Sequence, residues 1–200
     1  TVMPLVESDL GNLALYGWVF SAFFLGTLVG VVLAATASDR MKPVIPLAVG
    51  LVLFALGLVV GGTASSMFIL VLGRLLQGLG AGAMPATSYV CIGRTYPLEQ
   101  RPKMFALISS AWMIPSLFGP VIAAWIAQTV SWRWVFLGLL PISAVIGIIA
   151  IFGVRSVPAP TERSNDRNLL NALLVASGAG LLLFGLGSHE LVVAVPVSVL

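Results

Sequence analysis

Charged residues are so sparse that they divide the chain into rulers. Positions 10–38, 43–73, 75–93, 104–132, 134–154 and 168–188 carry no Asp, Glu, Lys, Arg or His, and they hold 29, 31, 19, 29, 21 and 21 residues. About 20 apolar residues in a helix cross about 30 Å of hydrocarbon, so each run holds about one crossing. The runs are too long and too uniformly apolar for barrel strands, whose lumen-facing positions alternate with lipid-facing ones. The pattern therefore predicts an all-α, polytopic membrane helix bundle.

A first helix is expected to end near Pro4. Further spans are expected at about 15–37, 43–61, 66–93, 102–129, 134–154 and 168–187, with an eighth starting near 191. Within the longest run Gly61-Gly62-Thr63 is the weakest helical spot, and it is expected to separate the third span from the fourth. Residues 156–168, SVPAPTERSNDRN, are polar, and Pro158 and Pro160 resist helix continuation. This divides the chain into a bundle at 1–154, a linker at 155–167 that the orientation below places in the cytoplasm, and 168–200 with the seventh span and the start of the eighth. The chain opens on Thr1 and closes on a short apolar run, which reads as a fragment of a longer membrane protein.

Orientation follows from the basic residues. With the loop after the second span in the cytoplasm, Arg40, Lys42, Arg94, Arg101, Lys103, Arg155, Arg163 and Arg167 all lie inside, and Arg133 alone lies in an outer loop. Eight against one fixes the sidedness by the positive-inside rule. The outer charges are mainly acidic, Glu7, Asp9 and Glu190. Tyr16, Trp18, Trp125, Trp132 and Trp134 fall where an outer aromatic belt is expected.

Composition agrees and narrows the class. Hydrophobic types make up 59% and charged residues 8% of the 200 positions. A soluble domain carries about 25% charged residues, and disorder needs low hydrophobicity. The net charge of +3 is scattered in short clusters, so no nucleic-acid footprint forms. One cysteine, Cys91, and one histidine, His189, leave no internal disulfide and no metal cluster. No hydrolase triad, phosphate loop or grouped acid and base occurs, so neither an enzyme nor a cofactor site is expected.

Arg74 is the residue that stands out. It lies about eight residues into the fourth span, roughly 12 Å from its outer end, among Ile69, Leu70, Val71, Leu72, Leu75 and Leu76. A guanidinium there costs several kcal/mol or more unless it meets a partner or a wet cavity. It therefore either lines a cavity, where it binds, orients or relays, or snorkels outward onto backbone carbonyls. Gln77 follows at i+3 on nearly the same face and can bond Arg74, a ligand or another helix.

Small residues recur every fourth position, as Ala22, Gly26, Gly30 and Ala34 in the second span and as Gly78, Gly82 and Ala86 in the fourth. Such faces allow close packing, whether fixed or sliding. Pro115 and Gly119-Pro120 predict kinks in the fifth span, which serve either as a pivot or as fixed bends. Asp39 sits near a helix C-terminus, where a carboxylate is unfavourable. It either has a partner, such as another helix start or Arg101, or is a solvated loop charge. Arg94 and Lys103 read as inner anchors, with Glu99 as a pair for Arg101. No acid lies deep in any span, so no intramembrane proton carrier is visible.

These residues carry a resemblance. The signature G-x-x-x-D-R-x-G-R-R/K is matched at Asp39 and Arg40, with Ala35, Lys42 and Pro43 replacing other positions. Arg74-Leu75-Leu76-Gln77-Gly78-Leu79-Gly80, followed by Pro85, matches R-x-x-Q-G-x-G. In G-x-x-x-G-P-x-x-G-G, Pro115 holds the first glycine position, Gly119-Pro120 match, and Ala123-Ala124 replace the last glycines. Tyr96 to Arg101 and Trp132-Arg133-Trp134-Val135-Phe136 resemble the usual entries to the fifth and sixth helices.

Over nearly its whole length the chain resembles the N-terminal half of a major facilitator superfamily transporter. More narrowly, it resembles the bacterial drug:proton antiporter branch with 14 transmembrane helices. The resemblance implies a multi-pass protein of the bacterial inner membrane that exports small lipophilic compounds against protons by alternating access, working with a C-terminal half of the same chain. It implies proton coupling at Arg74 with Gln77, and an inner gate at Asp39 and Arg40. It also implies an antiporter motif at Pro115, Gly119 and Pro120. A proton-exchanging aspartate would belong to the first helix, upstream of Pro4. Alternatives are a transporter of the same fold for a sugar, metabolite or siderophore, and a non-transporting scaffold or receptor.

Overall fold

The computed structural model describes residues 2–11, 15–160 and 178. Apart from residue 178, the seventh span, the start of the eighth, His189 and the linker from residue 161 lie outside the described residues. The elements are α1 (Met3–Leu10), α2 (Tyr16–Ser38), α3 (Val44–Gly62), α4 (Met67–Thr95), α5 (Arg101–Ala111), α6 (Met113–Thr129), α7 (Trp132–Leu137) and α8 (Leu139–Val154). Five helical rods, α2, α3, α4, α5–α6 and α7–α8, are long and apolar enough to cross a membrane. The protein is an all-α, polytopic membrane helix bundle.

The first helix does not stop near Pro4. Pro4 lies in the opening turn of α1, where its missing N–H leaves no bond unmade, and the helix runs on to Leu10. Gly11 ends it at φ 64, a left-handed backbone that glycine adopts without steric cost. Gly61 and Gly62 were expected to break the chain, but they stay helical and buried. They are small because α7 lies against them: a Cβ on Gly62 would sit 2.6 Å from Leu137 Cγ. The turn comes at 63–66, and the Ser66 side chain accepts from the Ile69 N–H to open α4.

Two rods are broken, each three residues before a proline. The fifth span turns at Trp112, ahead of Pro115, and the sixth turns at Gly138, ahead of Pro141. A proline ring collides with the carbonyl four residues back, so the preceding turn opens at 111 and 137. Helices α4 and α6 run through Pro85 and Pro120 without interruption. The expected break is therefore present near Pro115, and Pro120 lies inside a continuous helix.

Helix α4 is the core element, flanked by α2 on one side and α3 on the other. The ladders of α2 and α4 face each other. A Cβ on Gly26 or Gly30 would run into the Leu75 or Leu79 carbonyl, and one on Gly78 or Gly82 would run into the Phe23 or Thr27 carbonyl. The opposite face repeats this at a spacing of seven, where Gly73 and Gly80 meet Gly61 and Gly50 of α3. Hydroxyls within the rods bond back to the preceding turn, Thr27 to Phe23, Thr36 to Val32, Ser38 to Ala34 and Thr87 to Ala83, so these groups are satisfied inside their own helices. The outward faces of α2, α3 and α8 are apolar and exposed, with Phe24, Val52 and Ile149 among them, as lipid-facing surfaces are.

Candidate functional site

Arg74 projects from α4 toward α2. Its Nη1 donates to Gln77 Oε1 at 2.7 Å, and its Nε points at the Val19 carbonyl at 3.5 Å. The guanidinium carbon lies 4.5 Å over the Phe23 ring and 6.0 Å from the Phe136 ring of α7. Helical spacing brings Arg74 and Gln77 together, since i and i+3 share a face. The tertiary fold supplies the rest: the aromatic faces offer quadrupole attraction, and the carbonyl offers an acceptor. Gln77 is buried and Arg74 is half-buried.

Helices α2 and α4 run parallel and finish at the same end of the bundle. Arg94 of α4 donates to the Ser38 carbonyl at 2.6 Å and to the Pro158 carbonyl at 3.4 Å, and its Nη2 is 4.0 Å from Asp39 Oδ1. A cation on the last carbonyls of α2 offsets its negative helix end. The cation at 4.0 Å from Asp39 is therefore Arg94 rather than Arg101, and the carboxylate remains half exposed to solvent. Arg101 turns back on α4, donating to the Gly93 carbonyl at 2.6 Å and the Tyr96 carbonyl at 3.0 Å. Asp39 and Arg40 are both exposed in the turn after α2. Beside Arg94 a cleft of about 490 Å³, bounded by Cys91, Tyr96, Val154 and Ser156, separates the inner ends of α4 and α8.

Arg94, expected as an anchor, also ties the C-terminal end of α4 to that of α2. The signal in the sequence is depth: Asp39 and Arg94 each follow a crossing that runs in the same direction. Pro115, Gly119 and Pro120 stand on α6, away from Arg74 and Arg94, on a rod that is exposed almost throughout. Gly119 has open space where a Cβ would go.

At the opposite end of the bundle, Trp132 is packed inside rather than set in a surface aromatic belt. It is buried to 5% exposure, and its indole N–H donates to Asp9 Oδ2 at 3.0 Å. Arg133 Nη1 donates to the same oxygen at 2.7 Å, and Arg133 Nη2 donates to the Ala64 carbonyl at 3.3 Å. The Trp132 bond first, and the Arg133 bond next, hold the Asp9 carboxyl below its ordinary pKa.

Comparison with known proteins adds the family. The profile described as Major Facilitator Superfamily matches residues 1–198. An Acurin A biosynthesis cluster MFS-type transporter of Aspergillus aculeatus is 30% identical across 94% of this chain and 33% of its own. Multidrug transporter protein MdtP of Bacillus subtilis is 32% identical across 76% of this chain and 27% of its own. Multidrug efflux pump SdrM of Staphylococcus aureus is 24% identical across 94% and 42%. The chain thus spans well under half the length of these relatives.

Proposed function

The chain belongs to the major facilitator superfamily, and from that premise we propose that it serves proton-coupled export of small lipophilic compounds by alternating access. The observation that carries this reading is the guanidinium of Arg74, set within a membrane-spanning helix and held by Gln77 at 2.7 Å. Such a charge is costly in hydrocarbon and suits a polar path. The names of the Bacillus and Staphylococcus relatives, both multidrug transporters, support the substrate class.

In this reading the solute sits near mid-membrane between this bundle and a second one, and the two rock so that one side is open at a time. Arg74 discharges a proton-loaded state and passes the change to Gln77. Asp39 and Arg40 close the inner side, with Arg94 tying them to α4. The exposed α6 rod, with Pro115, Gly119 and Pro120, meets the second bundle. Placement in a bacterial inner membrane, with the turn after α2 in the cytoplasm and 14 helices in all, belongs to the same proposal.

The test is dye efflux in inverted vesicles under an imposed proton gradient. Arg74→Ala should reach the membrane in normal amount and lose efflux by about tenfold or more, the rate equivalent of about 1.4 kcal/mol. Parental export against a gradient would remove Arg74 from the mechanism. The name of the Aspergillus relative favours a second reading, a metabolite transporter of the same fold. Intact protein that moves no lipophilic dye under any gradient would favour it.

A further inference from the structure

Arg74 is the eighth of the 29 residues of α4, about 10 Å from the N-terminal end of the helix. Helical side chains lean toward that end, and an arginine has the length to snorkel out to headgroups. Here the guanidinium instead bonds Gln77, one turn further along α4, at 2.7 Å. Two ring faces flank it, Phe23 of α2 at 4.5 Å and Phe136 of α7 at 6.0 Å from the guanidinium carbon. The second distance is at the limit of cation–ring attraction, so Phe23 is the main partner. Its footing is firm. The Phe23 carbonyl lies where a Cβ on Gly78 would go, so backbone packs on backbone one turn from Arg74. The same carbonyl accepts from the Thr27 hydroxyl at 2.8 Å. The backbone that carries the ring is thus fixed in depth against α4 by the small-residue ladder.

We propose that Phe23 is a positioning residue for transport: its ring face holds the Arg74 guanidinium within the span and stops it from snorkelling to the helix end. The chemistry suits the task. A ring face attracts a cation through its quadrupole, yet it neither neutralises the charge nor uses up an N–H. Arg74 is kept in place with its charge intact. Phe23 acts through Arg74 and not on the solute, so its loss lowers turnover and leaves KM alone.

The role in transport rests on the export reading, but the hold on Arg74 does not, and two measurements separate them. In the full-length transporter in lipid vesicles, phenylglyoxal modification of Arg74 is followed by mass spectrometry, with no substrate and no gradient. Phe23→Leu should raise its rate about three- to tenfold, and Phe23→Tyr, which keeps the ring, should stay near the parent. In inverted vesicles under a proton gradient, Phe23→Leu should lower the maximal rate of ethidium efflux about three- to tenfold with KM unchanged, and Phe23→Tyr should retain it. Parental modification in Phe23→Leu overturns the hold, and so does a rise that Phe23→Tyr shares, which would mark loss of packing. A parental maximal rate in Phe23→Leu where Arg74→Ala abolishes efflux, or a change confined to KM, overturns the positioning role. A parent that exports no ethidium, or an Arg74→Ala variant that exports normally, strikes the export reading alone, and the modification rates still decide the hold on Arg74.

Discussion

Arg74 and Gln77 were legible as a pair because three residues along a helix is a fixed geometry. The choice between a guanidinium reaching for water and one held inside was not legible. It turned on the Val19 carbonyl and the Phe23 ring, which the packing of α2 on α4 delivers. Asp9 shows the same division: its place just before an apolar span was readable, but its two donors lie more than 120 residues away. Because the folded carboxyl titrates below its usual range, its contribution is complete above the unfolded pKa of about 3.9 and is lost as pH falls through the lower folded value. The Trp132 fluorescence, taken as the difference from Trp132→Phe, should stay constant from about pH 5 to 8 and change only below about pH 4. Asp9→Asn should abolish that change. A midpoint well above pH 4 would contradict the assignment.

At the scale of elements, α4 explains the glycines. It is gripped on two faces, and backbone meets backbone on both. Gly78→Leu should lower the melting temperature in detergent by about 5 °C or more, because the added atoms meet the Phe23 carbonyl and not a side chain that can turn away. Gly153→Ala, with open space at the Cβ, should cost nothing by the same measurement. The ladder of α2 was visible as a spacing of four. The α3 face escaped notice because its spacing of seven, Gly50 to Gly57 and Gly73 to Gly80, hides among other apolar residues. Of the two expected disturbances in the fifth span, the structure shows a break only at Trp112, before Pro115, because the ring acts on the turn before it, and α6 continues through Pro120. Pro115→Ala should let residue 115 donate to the Ala111 carbonyl. Amide exchange over 112–116 should then slow, and unchanged exchange would assign the turn at Trp112 to another cause.

Over the whole molecule, polar ties sit at the two ends of a 29-residue helix. At 1.5 Å per residue α4 is about 43 Å long, more than the hydrocarbon thickness. Arg94 at one end and the Asp9 contacts at the other therefore hold charge where water and headgroups reach it, and the apolar flanks between them face lipid. Removing the Arg94 tie should loosen that end alone. Arg94→Ala should raise the labelling of Cys91 by thiol reagent about two- to fivefold, with labelling of Ala64→Cys in a Cys91→Ser background unchanged. An equal rise at both ends would show general loosening instead.

Charge spacing alone determined the class and, among the described residues, the bounds of five spans to within two residues, because hydrocarbon thickness and the helical rise leave little freedom. It also marked Arg74, Asp39 and the small-residue faces as the positions that need explaining. Only the tertiary structure decided who meets whom. It gave Asp39 to Arg94, took Trp132 from the membrane surface into the core, and set Gly61 and Gly62 under α7. A linear sequence records how far apart residues are along the chain, and the contacts that settle these roles form between helices whose relative rotation only packing selects.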